Sequence, residues 1–342
     1  MRVVGLTQMA NSRLSRSVGL AGAGSSIVVV LAGCGGNQDT LSPASHQQHA
    51  ITDLFWVMLG GATAGFALVV FLLWLGYARR RSTDLPHRVG EHGATRLVVG
   101  LGVVLPIVLL TALFVWSDLF VLKTTAAPSR ASTALTVSVI GHEWWWEVRY
   151  PGTGVVTANE IHIPVDTRVL VAASSADVIH SFWIPELNRK IDTIPGYRGH
   201  ILLDAEHAGV FRGQCSEYCG LQHAHMAVEV VAQSKTAFRR WLAANARPAG
   251  TTAGRGARTF IASGCGDCHA IRGTSARGDV GPDLTHLQLR PTLAALTLAN
   301  TPANLARWIR DPQHFKPGSR MPDVRLSDAA WASINAYLRT LR

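Results

Sequence analysis

The chain has 342 residues, enough for two or three domains, and only 16% of them are charged. Its net charge is +10, but the excess is divided: residues 123–250 carry 12 basic against 11 acidic side chains, residues 251–342 carry 12 against 6, and the segment 79–96 carries 5 against 2. No basic stripe interleaved with aromatics results, which argues against a nucleic-acid partner, and five cysteines are too few for a disulfide scaffold.

Residues 1–33 read as a secretory signal, with Arg2, Arg13 and Arg16 ahead of the apolar run VGLAGAGSSIVVVLAG. The end, LAGC, has the form of a bacterial lipoprotein processing site, which would make Cys34 the lipidated first residue of the mature chain; the alternative is an uncleaved apolar helix with an incidental thiol. Residues 34–50 read as a polar linker. Two uncharged apolar runs follow at 54–78 and 97–116, each long enough for the ~20 residues that cross a bilayer. They predict a transmembrane hairpin over 51–122, its second helix kinked at Pro106. The loop between them opens with three arginines at 79–81 and adds Arg88 and Arg96. The positive-inside rule puts that loop in the cytoplasm and everything after about residue 123 on the periplasmic or extracellular side of a bacterial plasma membrane.

Residues 123–245 predict a β domain, from segments such as TALTVSVI, VVTANEIHIPV and RVLVAASSA, rich in Val, Ile and Thr and broken by Gly, Pro and Asp. AFRRWLAANARPAGTTAGRG then starts as a short helix, and its end, 246–256, reads as a flexible linker. Residues 257–342 predict a small helical domain, from ARTFIASG, PANLARWIRD and SDAAWASINAYLRTL.

Two short stretches carry the chemistry. QCSEYCGLQHAHM, residues 214–226, contains C-x3-C-x3-H-x2-M. Thiolate, imidazole and thioether together form a soft set that suits copper, whereas zinc seldom takes Met and uses closer cysteine pairs. A disulfide between Cys215 and Cys219 is the competing reading outside the cell. A blue copper site needs one Cys, two His and an axial Met, so this loop has one Cys too many and one His too few unless His180 joins from VIHSFWIPEL; His162 and His225 read as ordinary polar residues. The second stretch, SGCGDCHAIRG at 263–273, contains C-x-x-C-H, the attachment signal for c-type haem. Cys265 and Cys268 would form the thioethers and His269 the proximal iron ligand. For the sixth ligand, Met321 in PGSRMPDVRLSD is favoured over His286 and His314; its placement, with GPDL at 281–284, resembles class I cytochromes c.

IHSFWIPELNRKIDTIPG, CSEYCGLQHAHM and the aromatic segment GHEWWWEVRYP at 141–151 closely resemble subunit II of haem–copper cytochrome c oxidases, in the variety that carries a cytochrome c domain at its C-terminus. The resemblance implies a multidomain membrane protein: a two-helix hairpin, a Greek-key cupredoxin-like barrel and a small all-α class I cytochrome c domain. It implies a dinuclear CuA centre in which Cys215 and Cys219 bridge two coppers, His180 and Met226 complete one ion, and His223 with the Glu217 carbonyl completes the other. Two thiolates are then needed because two ions share them. The Glu217 carboxylate would face an interfacial Mg²⁺ shared with subunit I, and Trp144 would be the surface aromatic where electrons enter, on one side of a strand with Trp146. Partners would be subunit I, other oxidase subunits and an external donor, cytochrome c or a bc complex. The hairpin lacks the intramembrane histidines of an O2-reducing site, which places that site in another subunit. Quinol-oxidase subunits share the barrel without the copper ligands, nitrous oxide reductase needs a large His-rich domain absent here, and a copper-delivery or zinc module would not need covalent haem. One departure from the family pattern is that HGATRLVVGLGVVLP, near the start of the second helix, lacks the usual acid; Glu91 lies a turn or two earlier, and no proton-entry residue is assigned.

Overall fold

The computed structural model describes residues 36–80, 91–127 and 132–342. Cys34, the signal segment and most of the basic loop lie outside the described residues. Helix α1 (His46–Arg80) is the first long apolar span. The second is one helical run: α2 (Glu91–Val99), a π-helical stretch (Gly100–Val104), α3 (Leu105–Trp116), a second π stretch (Ser117–Leu122) and α4 (Lys123–Thr125). Pro106 sits in the first turn of α3, directly after a π stretch. The looser i→i+5 bonding there absorbs the register change that a proline forces, so the helix carries on. Both spans point apolar side chains outward, Phe66 being 73% and Phe114 71% exposed, which suits surroundings of lipid or partner helices.

The segment expected to be a polar linker is structured at its C-terminal end. Helix α1 begins at His46, and Ser45 caps it by accepting a hydrogen bond from the Gln48 amide at 3.1 Å. Ala44 is buried on the β domain, donating to the Glu186 carbonyl at 2.9 Å and accepting from the Glu206 amide at 3.0 Å. The start of α1 is thus pinned to the barrel.

The β domain contains ten strands: β1 (Leu135–His142), β2 (Trp145–Tyr150), β3 (Val155–Ala158), β4 (Glu160–Pro164), β5 (Val169–Ser175), β6 (His180–Phe182), β7 (Ile191–Thr193), β8 (Gly199–Leu203), β9 (Gly209–Gln214) and β10 (Ala227–Gln233). A five-stranded sheet, β3-β2-β1-β5-β8, faces a three-stranded one, β4-β10-β9, and β6-β7 forms a short hairpin at one end. The sheets are mixed, β1 running parallel to β5 and β4 to β10, as crossing Greek-key connections require. Alternation drives the closure: Val137 and Val139 of β1 point inward with Val148, Val171 and Ile201 to meet Ile161, Phe211 and Val230 from the facing sheet.

Helix α5 (Lys235–Asn245) leads out of the barrel, its Trp241 stacked on His162 at 4.0 Å between ring centres. The C-terminal domain follows with α6 (Arg255–Ala262), α7 (Cys265–Cys268), the β11–β12 ribbon (Thr292–Leu293, Leu298–Ala299), α8 (Pro302–Arg310), α9 (Pro312–Phe315) and α10 (Asp328–Leu338). Phe260, Leu305, Ile309, Trp331 and Ile334 form a second core where α6 and α10 meet. Thr301 and Ser327 cap α8 and α10 through their hydroxyls, which is why those helices were legible from their first residues.

Residues 246–256, expected to be a flexible tether, are held at their start. The Arg272 guanidinium donates to the carbonyls of Asn245, Ala246 and, across the domain boundary, Gly154 at 2.8 Å. Ala249 is buried and donates to the Arg272 carbonyl at 3.0 Å, and His286 Nε2 pairs with the Arg247 carbonyl at 3.0 Å. Pro/Gly/Thr composition signals the absence of regular structure, not the absence of contacts.

Candidate metal and haem sites

Antiparallel pairing of β9 with β10 opposes Gln214 to Ala227, so the loop 215–226 leaves and returns at adjacent points. Its ends are tied by a bond from the Cys215 amide to the Met226 carbonyl at 3.0 Å, and a bond from the Ser216 amide to the Ser181 carbonyl at 3.0 Å fastens the loop to β6, where His180 begins. The six expected donors therefore converge although His180 lies far away in sequence. Cys215 Sγ lies 3.7 Å from Cys219 Sγ, 3.9 Å from His180 Nδ1 and 3.3 Å from the Glu217 carbonyl. Cys219 Sγ lies 3.6 Å from His223 Nδ1 and 3.8 Å from Met226 Sδ.

The spacing tests the chemistry. Both thiols are free, and 3.7 Å is far too long for a disulfide bond of about 2.05 Å, so the competing reading of this pair falls. Thiolates bound to one tetrahedral metal at about 2.3 Å would lie roughly 3.7 Å apart, so the two sulfurs are spaced as ligands of a common metal. Cys215, His180 and Met226 are almost wholly buried, which excludes water from the set. Each cysteine thiol shifts the other: hydrogen bonding from Cys219, opposed by burial and aided by His180, holds Cys215 well below the usual thiol range, while the same pairing and burial raise Cys219. Burial alone would pull His180 down, but its bond to Asp177 at 2.9 Å and its approach to Cys215 outweigh that and hold it up at about 9. Asp177 engages Nε2 and leaves Nδ1 aimed at the sulfur, the outer partner that a ligating histidine needs. Sequence reasoning missed Asp177, although its place three residues before His180 is a usable signal. His225 and His162 lie outside the donor set; His225 Nδ1 pairs with Gln222 at 2.7 Å.

The Glu217 carboxylate points outward, 46% exposed and 3.9 Å from Lys190. Trp144 differs from its expected place. It sits in the turn between β1 and β2, not within a strand, and is 7% exposed, covered by the C-terminal domain. It does share the barrel core with Trp146, while Trp145 turns the other way onto Ala158 and Ala295. The Trp144 indole Nε1 donates to the Cys219 carbonyl at 2.8 Å. Gly220 of the metal loop and Gly318 of the C-terminal domain both lie against its ring; a Cβ on either would come within 3.1 Å and 3.7 Å of the ring carbons.

The C-terminal domain forms a largely apolar cavity whose open side faces the barrel. Cys265, Cys268, His269 and Met321 all line it, whereas His286 and His314 do not. Helix α7 sets the two cysteines one turn apart, and burial raises the Cys265 thiol. Burial also holds the His269 pKa below its ordinary value despite the Pro282 carbonyl. That carbonyl can only accept, so His269 Nδ1 donates to it at 2.8 Å and Nε2 is the nitrogen left to ligate. The donor set and the apolar walls fit a covalently attached haem. Trp144 and Trp145 form part of the wall, so the cavity opens against the turn that also touches the metal loop.

Further basic residues of the C-terminal domain face the barrel. Arg290, buried, donates to Thr157 Oγ1 at 3.2 Å, and Arg320 lies 3.7 Å from Asp177. The Lys316 ammonium donates to the carbonyls of Trp144 at 2.7 Å, His225 at 2.9 Å and Ala294 at 3.4 Å. Burial pushes its pKa down to about 7, against an attraction from Cys219.

A cupredoxin-like barrel with a soft-metal loop, preceded by two apolar helices of bilayer length and fused to a helical domain with a haem-attachment motif in an apolar cavity, defines an electron-transfer protein. Residues 153–233 match the family model for the cytochrome c oxidase subunit II periplasmic domain, and residues 253–342 match that for cytochrome c. Cytochrome c oxidase subunit 2 of Alkalihalophilus pseudofirmus is 32% identical over 335 residues, covering 92% of this chain and 95% of the relative. That of Bacillus subtilis is 29% identical over 347 residues, with the same coverage of 92% and 95%. The crystal structure of the periplasmic domain of subunit II of cytochrome oxidase from Bradyrhizobium japonicum is 31% identical and covers 35% of this chain and 96% of that one, with a TM-score of 0.33. The chain belongs to the cytochrome c oxidase subunit 2 family, in the form that carries a C-terminal cytochrome c domain. It is a subunit of the oxidase complex, with an electron-transfer role that uses copper and haem.

Proposed function

We propose that this chain is the redox relay of a terminal respiratory oxidase in a bacterial plasma membrane. A haem c attached at Cys265 and Cys268, with His269 and Met321 as axial ligands, would take electrons from an external cytochrome c or bc complex, and a dinuclear CuA centre on His180, Cys215, the Glu217 carbonyl, Cys219, His223 and Met226 would pass them to the haem of subunit I, where O2 is reduced to water.

The observation that carries this reading is Trp144, which belongs to both sites: its ring lines the haem-domain cavity and its Nε1 donates to the Cys219 carbonyl. Trp144 then acts as the bridge between the two centres, not as a surface entry point. The barrel's part is to hold the donors still and dry, since a ligand set anchored by β9, β10 and β6 moves little when its charge changes. The exposed Glu217 carboxylate faces away from the barrel, but one carboxylate beside Lys190 is too little for Mg²⁺, so the other ligands of such an ion would come from subunit I. Both extramembrane domains would lie on the periplasmic or extracellular side, with Cys34 as a lipid anchor.

The test is flash-induced reduction in the purified oxidase across protein dilution. Transfer from haem c to copper should be independent of concentration. Cys265→Ala with Cys268→Ala should abolish covalent haem and leave copper, while Cys219→Ser should collapse the copper centre and leave the haem. Copper reduction that slows in proportion to dilution, or a chain that takes up one zinc and no copper, would sink the reading.

A further inference from the structure

Lys316 is 3% exposed, and no carboxylate among the described residues lies within ion-pair distance of it. Its ammonium has three donors, and three backbone carbonyls take them. Two of those carbonyls, of Trp144 and His225, belong to the barrel, and the third, of Ala294, belongs to its own domain. A lysine buried on carbonyls is a poor source of raw affinity, because its dehydration offsets much of the gain. It is a strict source of register, because a small displacement would leave both the charge and the carbonyls buried without partners.

The neighbouring contacts act in the same place. Gln222 Nε2 donates to the Pro317 carbonyl at 2.9 Å. Gly318 has φ +83°, a left-handed conformation that favours glycine, and a Cβ there would press to 3.0 Å from Leu221 Cδ1. Arg320 reaches Asp177, the carboxylate that orients His180. Within six residues, 316–321, the haem domain thus touches Trp144, the metal loop and the outer partner of His180, and the same segment ends at Met321.

We propose that Lys316 is a positioning residue for transfer between the two domains: a latch that seats the haem domain in one register on the Trp144 turn and the metal loop. The proposal rests on the relay reading above for its functional consequence, but the latch itself is a statement about docking and can be tested apart from it. Lys316 holds the Trp144 backbone from one side while the Cys219 carbonyl holds its indole from the other, so the ring stays in the path between the sites.

The test uses the purified oxidase carrying Lys316→Met, Lys316→Arg or wild-type subunit. The first readout is amide hydrogen exchange over 141–146 and 222–228. Lys316→Met should speed exchange there by about tenfold or more for the charged hydrogen bonds lost, each worth roughly a decade of equilibrium. Lys316→Arg, which keeps the charge and the donors, should restore part of the protection. The second readout is flash-induced transfer from haem to copper, expected to fall about tenfold or more in Lys316→Met, while the haem spectrum and haem reduction by a small-molecule reductant stay as in wild type. Unchanged exchange in Lys316→Met overturns the latch whatever the transfer rate does. Faster exchange with unchanged transfer upholds the latch and overturns the Trp144 route. If Lys316→Met does not accumulate with its haem, Lys316→Gln, which retains a donor on a shorter stem, is read by the same two measurements.

Discussion

Gly141→Ala tests whether the barrel, as folded, dictates the position of a ligand. A Cβ at Gly141 would lie 2.7 Å from His180 Cδ2, 3.1 Å from His180 Cγ and 3.3 Å from Trp146 Cζ3. Ordinary carbon contacts lie at about 3.5–4.0 Å, so the imidazole would have to retreat by roughly 0.8 Å or more. It has nowhere to go: His180 is fully buried, packed edge-on to Trp146 at 5.9 Å and bonded to Asp177 at 2.9 Å. Nor can the strand yield, since Gly141 pairs with Trp146 on one side and Ser175 on the other. Overpacking of this kind costs about 1–3 kcal/mol. For a domain of about 100 residues that lowers Tm by roughly 4–8 °C per kcal/mol, or ~5–20 °C for the barrel transition. Metal sites tolerate ligand displacements of only about 0.2 Å, so copper content or its near-infrared absorption should change as well. The assay is scanning calorimetry of the purified subunit, with copper stoichiometry and spectrum on the same samples, and Gly250→Ala, where a Cβ meets nothing within 4 Å, as control. A Gly141→Ala barrel with wild-type Tm, copper content and spectrum would show that His180 is not held as described.

Gly281→Ala applies the same reasoning to haem: its Cβ would come 2.5 Å from His269 Cε1 and 2.9 Å from Nδ1, so haem should still attach while its ligand-field spectrum shifts, and an unaltered spectrum would refute this. Burial pushes the Glu147 carboxyl up, but the His142 imidazole 3.3 Å away and the hydrogen bond from Arg149 outweigh it and hold the folded pKa below the ordinary 4.5. A depressed carboxylate pKa contributes stability above the unfolded value that is lost as pH falls through the folded one. Glu147→Gln should therefore lower the denaturant midpoint at pH 7, and the gap to wild type should close on acidification below about pH 4; a gap that stays constant with pH would contradict the pairing.

The local chemistry was legible because it is carried by spacing. C-x3-C-x3-H-x2-M and C-x-x-C-H offer candidate ligands within a loop or a single turn, and two uncharged apolar runs are each long enough to cross a bilayer. His180 could be raised as a candidate from VIHSFWIPEL, but only the fold shows that β6 is stitched to the metal loop through Ser181 and Ser216. Gly141 and Gly281 gave no comparable signal, because each acts by standing against a histidine that is distant in sequence or reached only by a turn.

What the sequence by itself determined is the inventory: which side chains are candidates for holding copper or haem, and the order of two apolar runs, a β-rich segment and a helical one. What only the tertiary structure decided is how those parts meet. The C-terminal region carries a basic excess in sequence, and the fold turns Arg272, Arg290, Lys316 and Arg320 toward the barrel. Trp144 looked like an exposed entry point, yet it is enclosed between Gly220 and Gly318. Ligand motifs are set by bond lengths and turns, which act over a few residues and so leave a mark in spacing. Docking of one domain on another is set by steric fit and by the burial of charges on carbonyls contributed from distant segments, and those energies exist only once both surfaces have folded.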